Sequence, residues 1–305
     1  MDLCDIRSIR ALLSRHGFSF SKSLGQNFLT ASWVPAEIAA RIGLDETFGV
    51  LEIGPGIGCL TVELARGAGK VVAVELDRAL LPVLRETLGA FPNVQVIHGD
   101  ILKTDIAALV ESQMAGLRPV VAANLPYHIT TPVLTALIDS GCFSGITVMI
   151  QREVARRIAA PAGSPDFGAF SLYIAYHAEA EILFDVPPDC FIPQPKVHSS
   201  VIALRPRERP PVSAPKEALF TVIRAAFAQR RKTLVNCLNT ALPQAPKGAL
   251  GDILTRLGHD SRIRGETLDL KAFSQLTEAL LEAGFLGKCT GHSAHTGQRG
   301  KNPLQ

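Results

Sequence analysis

Val50-Leu51-Glu52-Ile53-Gly54-Pro55-Gly56-Ile57-Gly58 sets a short β-type run directly against a loop with three glycines, and the chain then continues as a helical run from Leu60 to Ala65. A buried strand that turns on glycine into a helix is the opening of a βα unit, because glycine lets the backbone turn sharply and approach a ligand closely. The pattern repeats outward. Val71–Glu75, Val94–His98, Val120–Ala123 and Ile146–Ile150 are further β-rich runs separated by helical stretches. Such alternation predicts an α/β fold with a parallel sheet and helices on both faces. Runs at Tyr173–His177 and Ser200–Leu204 are expected to extend the sheet on either side of the loop 187–195. Before the sheet, Ile6, Ile9, Leu12 and Leu13 have helical spacing that stops at Gly17.

A glycine loop after a first strand serves any nucleotide-like ligand, so the strands that follow carry the discrimination. Glu75 ends the next strand about twenty residues on, where a carboxylate accepts both hydroxyls of a ribose. Asp100 ends the third, where it can accept from an adenine amino group or cap a helix. Asn124-Leu125-Pro126-Tyr127 ends the fourth. An amide side chain, a proline-stiffened backbone and an aromatic ring present hydrogen-bond acceptors in one plane beside a stacking surface. That is a holder for a planar amino group. The exocyclic amine of adenine is a poor nucleophile because its lone pair is delocalised into the ring, and two acceptors on its two N–H bonds would localise that pair.

The chain has 305 residues, 47% of them hydrophobic, enough for about two domains at roughly 150 residues each. Prolines at 206, 210, 211 and 215 mark a boundary. The expected division is a ligand-binding domain over 1–205, a linker over 206–215, a helical domain over 216–286 and a disordered tail over 287–305. Helices are expected at Lys216–Leu242, Leu250–Leu257 and Leu270–Ala283. A net charge of +3 does not establish a nucleic-acid partner. Its distribution says more: Arg230-Arg231-Lys232 stand together, and Arg224 and Arg231 are seven apart, on a face away from Leu219, Ile223, Phe227, Leu234 and Leu238. Arg224, Arg230, Arg231 and Lys232 are the expected phosphate-gripping, RNA-binding surface. Six cysteines lie far apart, which argues against a zinc knuckle or a disulfide framework. Cys289, His292 and His295 in the tail receive no role. No apolar run approaches the ~20 residues that cross a bilayer, and the charged start is no signal peptide, so a soluble cytoplasmic protein without membrane contact is expected.

The motifs together resemble a known family. Glu52 to Gly58, Glu75-Leu76-Asp77, Gly99-Asp100 and Asn124 to Tyr127 look like the motifs of the S-adenosylmethionine-dependent rRNA adenine dimethyltransferases, in particular the small-subunit (16S-type) branch. Lys22 to Leu29 is similar to the family's N-terminal cofactor motif, Phe191 to Val197 to its late target-base loop, and Phe227 to Leu234 to the start of its C-terminal helical domain. The likeness runs in order from about Ile6 to Phe285. His128 stands where the family usually has Asn, and Ser199-Ser200 replaces a more usual acidic-containing pair.

The resemblance implies a Rossmann-like class I methyltransferase sheet with a small all-α C-terminal domain, S-adenosylmethionine as cofactor and no metal. It implies that Gln26, Asn27 and Leu29 line the methionine end of the cofactor, with Glu52, Gly54, Gly56, Glu75, Leu76, Asp100, Ile101 and Asn124 completing its site. Asn124, Leu125, Pro126 and Tyr127 would be the catalytic group, with Tyr127 and Phe191 sandwiching an unpaired base. The implied substrate is two adjacent adenines in a hairpin loop near the end of small-subunit rRNA, free or in a subunit precursor, each methylated twice. Three other readings stand beside it. A large-subunit rRNA adenine methyltransferase of the macrolide-resistance kind shares the motifs, although Gln229 to Leu234 favours the small-subunit branch. A nicotinamide-dependent oxidoreductase suits the glycine loop and Glu75 but leaves Asn124 to Tyr127 without a role. A non-catalytic rRNA-binding assembly factor would have a decayed acceptor motif, and here the motif is complete.

Overall fold

Short runs of Val, Ile and Ala flanked by glycine or polar turns cannot sustain long helices, and they form the interior strands of a seven-stranded sheet. The structure, a computed structural model, describes residues 2–21, 24–229 and 231–287. Lys22, Ser23, Arg230 and the tail from 288, with Cys289, His292 and His295, lie outside the described residues. In chain order the elements are α1 (Ile6–Arg15), β1 (Phe28–Leu29), α2 (Trp33–Ile42), β2 (Phe48–Ile53), α3 (Cys59–Gly67), β3 (Lys70–Glu75), α4 (Leu81–Leu88) and β4 (Val94–His98). Next come α5 (Ile106–Gln113), β5 (Arg118–Asn124), α6 (Thr130–Asp139), β6 (Gly145–Gln151), α7 (Arg152–Ile158), α8 (Ala169–His177) and β7 (Ala178–Val186). The last are β8 (Phe191–Ile192), β9 (Ser199–Pro206), α9 (Lys216–Phe227), α10 (Leu234–Ala241), α11 (Lys247–Arg256) and α12 (Leu270–Glu282).

The chain divides into two compact units. One holds the residues up to Ala155 together with Ala180–Pro206 and carries the sheet, in the order β4-β3-β2-β5-β6-β9-β7. Strands β4, β3, β2, β5 and β6 run parallel to one another. β9 runs antiparallel to β6, so the sheet is mixed rather than all parallel. β2 is buried along its whole length and β6 over its inner five residues, as strands covered on both faces must be. From β2 the chain winds outward through β3 to β4, then returns to the other side of β2 as β5 and β6. The switch in direction opens a crevice beyond the carboxyl ends of β2 and β5. A separate two-stranded pair, β1 with β8, sets Leu29 opposite Phe191.

The second unit holds Arg156–Glu179 and the residues from Arg207 on. The expected 1–205 block therefore does not persist, because Arg156–Glu179 belongs with the helices. Tyr173–His177 is not a strand but the end of α8. Its residues are buried almost consecutively, so it has neither helical nor strand periodicity, and short apolar runs of this kind are ambiguous by pattern alone. Helix suits them because Tyr176 and His177 both meet Phe220 of α9, at ring-centroid distances of 5.2 and 5.8 Å. The expected helix Lys216–Leu242 is two helices. α9 ends at Phe227, capped by Ala228, and Thr233 starts α10 by accepting the Asn236 backbone N–H. The expected shared helical face of Arg224 and Arg231 is thereby lost: Arg224 lies on the last turn of α9 and Arg231 lies between the helices. Among the described residues no helix is long and apolar enough to cross a membrane.

Candidate active site

Register makes the strand ends level. Ile53 pairs with Val74, Glu75 with His98, and Glu52 with Ala122, so the residues that follow β2, β3, β4 and β5 meet at one edge of the sheet. There they bound a cavity of about 200 Å³. Its walls include Leu24–Leu29, Glu52–Ile57, Glu75-Leu76, Gly99–Leu102 and Asn124–Ile129. Every expected cofactor residue is among them.

Gly54 has φ of 66°, and a Cβ there would stand in open space rather than against protein, which leaves the loop clear on its ligand side. Gly56, with φ of 62°, passes so close to Phe28 that a Cβ would come within 3.1 Å of the ring.

Glu52 and Glu75 are two carboxyls in a place that disfavours charge. Glu52 is 1% exposed, and its Oε2 has no hydrogen-bond partner among the described residues. Burial, with the nearby Glu75 charge adding to it, pushes the Glu52 carboxyl up to about 8. Burial also raises Glu75 to about 7, against the backbone N–H groups of Asp77 and Gly56, which donate to its two oxygens at 2.7 and 3.4 Å. A carboxylate has about four acceptor sites, so lone pairs remain for two hydroxyls. Asp100 caps the one-turn helix after β4, its Oδ1 accepting the Leu102 N–H at 3.0 Å. Cap and ligand acceptor are compatible, since Oδ2 has only a 3.5 Å contact with Lys103. Leu76 and Leu102 leave 49% and 42% of their surface uncovered at the same cavity.

The segment before β1 is tied across this edge. Gln26 accepts the Ser21 N–H at 2.8 Å and donates to Asp77 at 2.7 Å. Asn124 donates through Nδ2 to the Asn27 carbonyl at 3.2 Å. That bond decides what Asn124 offers the cavity: with its NH₂ engaged, its Oδ1 remains as an acceptor. Leu125 is 1% exposed and its N–H donates to Met149, which locks the backbone one residue before Pro126. The Tyr127 hydroxyl makes a 2.7 Å hydrogen bond to Ser199, and burial raises its pKa.

Phe191 is the expected residue that the structure sets elsewhere. It is 5% exposed, lies opposite Leu29 in the β1–β8 pair within the core, and does not line the cavity. Arg224, Arg231 and Lys232 are in the second unit, and Arg224 donates to the Thr221 hydroxyl at 3.1 Å. Sequence reasoning missed the partners Asp77 and Ser199, along with Leu102. Asp77 had a signal, its place two residues beyond Glu75; Ser199 had one only as a departure from the family pattern, which gave it no partner. Among the described residues no group of three or more His, Cys, Asp or Glu side chains is arranged to hold a metal ion.

Comparison with known proteins agrees with this geometry. A family described as ribosomal RNA adenine dimethylase matches residues 17–274. The "Ribosomal RNA small subunit methyltransferase A" of Geobacillus thermodenitrificans is 46% identical over 277 residues, 89% of this chain and 94% of that protein. Its counterpart from Alkaliphilus oremlandii is 42% identical, over 90% of this chain and 96% of that one. Among solved structures, a dimethyladenosine transferase from Plasmodium falciparum superposes with a TM-score of 0.71 at 25% identity, covering 84% of this chain and 98% of that one. The 23S rRNA methyltransferase ErmE does so with a TM-score of 0.66 at 25% identity, covering 83% and 99%. The glycine loop, the acids at the strand ends and the oriented Asn124 amide thus stand in a chain that belongs to the ribosomal RNA adenine dimethylase family.

Proposed function

We propose that this chain is the S-adenosylmethionine-dependent methyltransferase that dimethylates two adjacent adenines in a hairpin loop near the end of small-subunit rRNA, in the cytoplasm and during subunit assembly. The observation that carries the reading is the Asn124 amide, whose nitrogen is engaged by Asn27 while its oxygen is left at a cavity bounded by Glu75 and Asp100. Relatives named for small-subunit rRNA, matched over nine-tenths of their length, favour it over the large-subunit enzyme and the oxidoreductase.

S-adenosylmethionine supplies a methyl carbon already made electrophilic by its sulfonium. The residues therefore have positioning to do. The cavity suits that ligand: open space beside Gly54, a buried carboxyl oxygen without a partner on Glu52, and acceptors at successive strand ends. Glu75 would accept the ribose hydroxyls and Asp100 the cofactor's adenine amine, with Leu76 and Ile101 against its ring. Gln26, Asn27 and Leu29 would border the methionine end. Asn124 Oδ1 and the Leu125 carbonyl would accept the two N–H bonds of the target amine, and Tyr127 would stack on its ring. As positive charge grows on that nitrogen both acceptors strengthen, so they stabilise the transition state more than the ground state. Alignment of nitrogen, methyl and sulfur supplies several kcal/mol of the barrier. A stack on Tyr127 is worth on the order of 1–3 kcal/mol.

The test is incubation of the protein with S-adenosylmethionine and small-subunit RNA, either free or in a subunit precursor, followed by mapping of methylated adenines. Dimethyladenine at two adjacent positions of a terminal hairpin is expected. Methylation confined to large-subunit RNA would overturn the proposal.

A further inference from the structure

Ser199 is the first residue of β9, opposite Gln151 at the end of β6. It is fully buried, and its Oγ lies 2.7 Å from the phenol oxygen of Tyr127, 72 residues earlier. The frame behind it is stiff. Five further pairs extend the β6–β9 register, and the Arg152 N–H donates to the His198 carbonyl at 3.0 Å, pinning the residue just before Ser199. Tyr127 itself follows Pro126 in a one-turn helix whose carbonyls are held by Thr130. The ring is thus fixed at both ends, by backbone at its root and by Ser199 at its tip.

The tip matters because of what the amine loses between two transfers. In each transfer the adenine nitrogen forms a bond to the methyl carbon as the carbon–sulfur bond breaks, its electron pair passing to sulfur. The nitrogen then releases one proton to water. Before the first transfer the amine has two N–H bonds, one for Asn124 Oδ1 and one for the Leu125 carbonyl. Before the second it has one. Half of the polar orientation is gone, and the stacked ring must supply the remainder.

Resting on the reading above, we infer that Ser199 is a positioning residue that holds the Tyr127 ring against the target base and so controls the second methylation more than the first. A ring freed at its tip can still lie against a base that two hydrogen bonds orient. It cannot hold one oriented by a single bond.

The experiment is single-turnover methylation of small-subunit substrate by wild type, Ser199→Ala, Tyr127→Phe, the double variant and Ser199→Thr, with nucleoside mass spectrometry of mono- and dimethyladenine and calorimetry of S-adenosylmethionine binding. At equal total methyl incorporation, Ser199→Ala should raise the mono-to-dimethyl ratio roughly threefold to tenfold, the range of one ordinary hydrogen bond. Tyr127→Phe removes the same bond from the other side and should raise it equally; the double variant should add nothing. Ser199→Thr, which keeps the hydroxyl, should restore the wild-type ratio, and cofactor affinity should not change in any of the four. Ser199→Ala with a wild-type ratio, additive effects in the double variant, or a loss of cofactor affinity in step with activity would overturn the inference. A wild-type protein that methylates no adenine would remove the functional reading, and this inference with it.

Discussion

Glu52→Gln isolates the consequence of burying a carboxyl beside the cofactor cavity. Glu52 is 1% exposed with one unpartnered oxygen, and its carboxyl loses its proton only near 8. In the unfolded chain it does so near the ordinary value of 4.5. Between those limits the folded state holds a proton that the unfolded state has released, so stability falls as pH rises. Below about 4.5 there is no penalty. Three and a half pH units at 1.36 kcal/mol each give a loss of about 4–5 kcal/mol by pH 8. The substituted amide is neutral at every pH and nearly the same shape as the carboxyl, so the variant should exceed wild type by less than about 1 kcal/mol near pH 5 and by about 4 kcal/mol near pH 8. Urea unfolding of the cofactor-free protein at pH 5, 6, 7 and 8 measures this. Trp33, the one tryptophan, belongs to the same compact unit as Glu52 and reports its unfolding by fluorescence. Contributions of groups that do not interact with Glu52 cancel in the difference, whereas the repulsion between Glu52 and Glu75 is part of what is measured. A stability difference that stays flat from pH 5 to 8 would refute the reasoning, and one that reverses sign would mean that Glu52 is paired and ionised in the folded chain.

Other outcomes follow from the same geometry. Affinity for S-adenosylmethionine should rise as pH passes through about 7 and Glu75 ionises; calorimetry should find that slope flattened in Glu75→Gln, and Glu75→Ala weaker by roughly 1.5–3 kcal/mol. Asn124→Ala should lower the single-turnover methylation rate by about a hundredfold while leaving cofactor affinity nearly unchanged; parallel loss of both would make the strand end structural. Phe191→Ala should cost about 3–5 kcal/mol in urea unfolding, as a core aromatic does, and Phe191→Leu should keep both fold and methylation; a stable Phe191→Leu without activity would return Phe191 to the base site. Replacing Arg224, Arg231 and Lys232 by Gln should flatten the log–log salt dependence of rRNA binding by about 2, at roughly 0.7 per lost single-strand contact, without moving cofactor affinity.

The parts of this protein that its sequence reveals are those whose cause is local. β2, β3, β5 and β6 are apolar runs because helices cover both faces, and Gly54, Glu75 and Asn124 are conspicuous because each stands at the end of such a run, while Asp100 follows the half-buried β4. α8 escaped because a run buried on nearly every side has no period, and whether it extends or coils is settled by Phe220, more than forty residues away. Phe191 misled for the converse reason. The likeness of its segment to a target-base loop set its ring beside a base, yet pairing of β8 with β1 draws that ring into the core. The split between α9 and α10 rests on Thr233, a cap indistinguishable in one dimension from a threonine inside a helix. An acceptor must stand where a strand stops, beside glycine or proline, and such neighbours are visible in the chain. A residue that holds the acceptor's neighbour still needs only an oxygen at one point in space, which a serine in any strand can supply, and the β6–β9 register alone makes that serine Ser199.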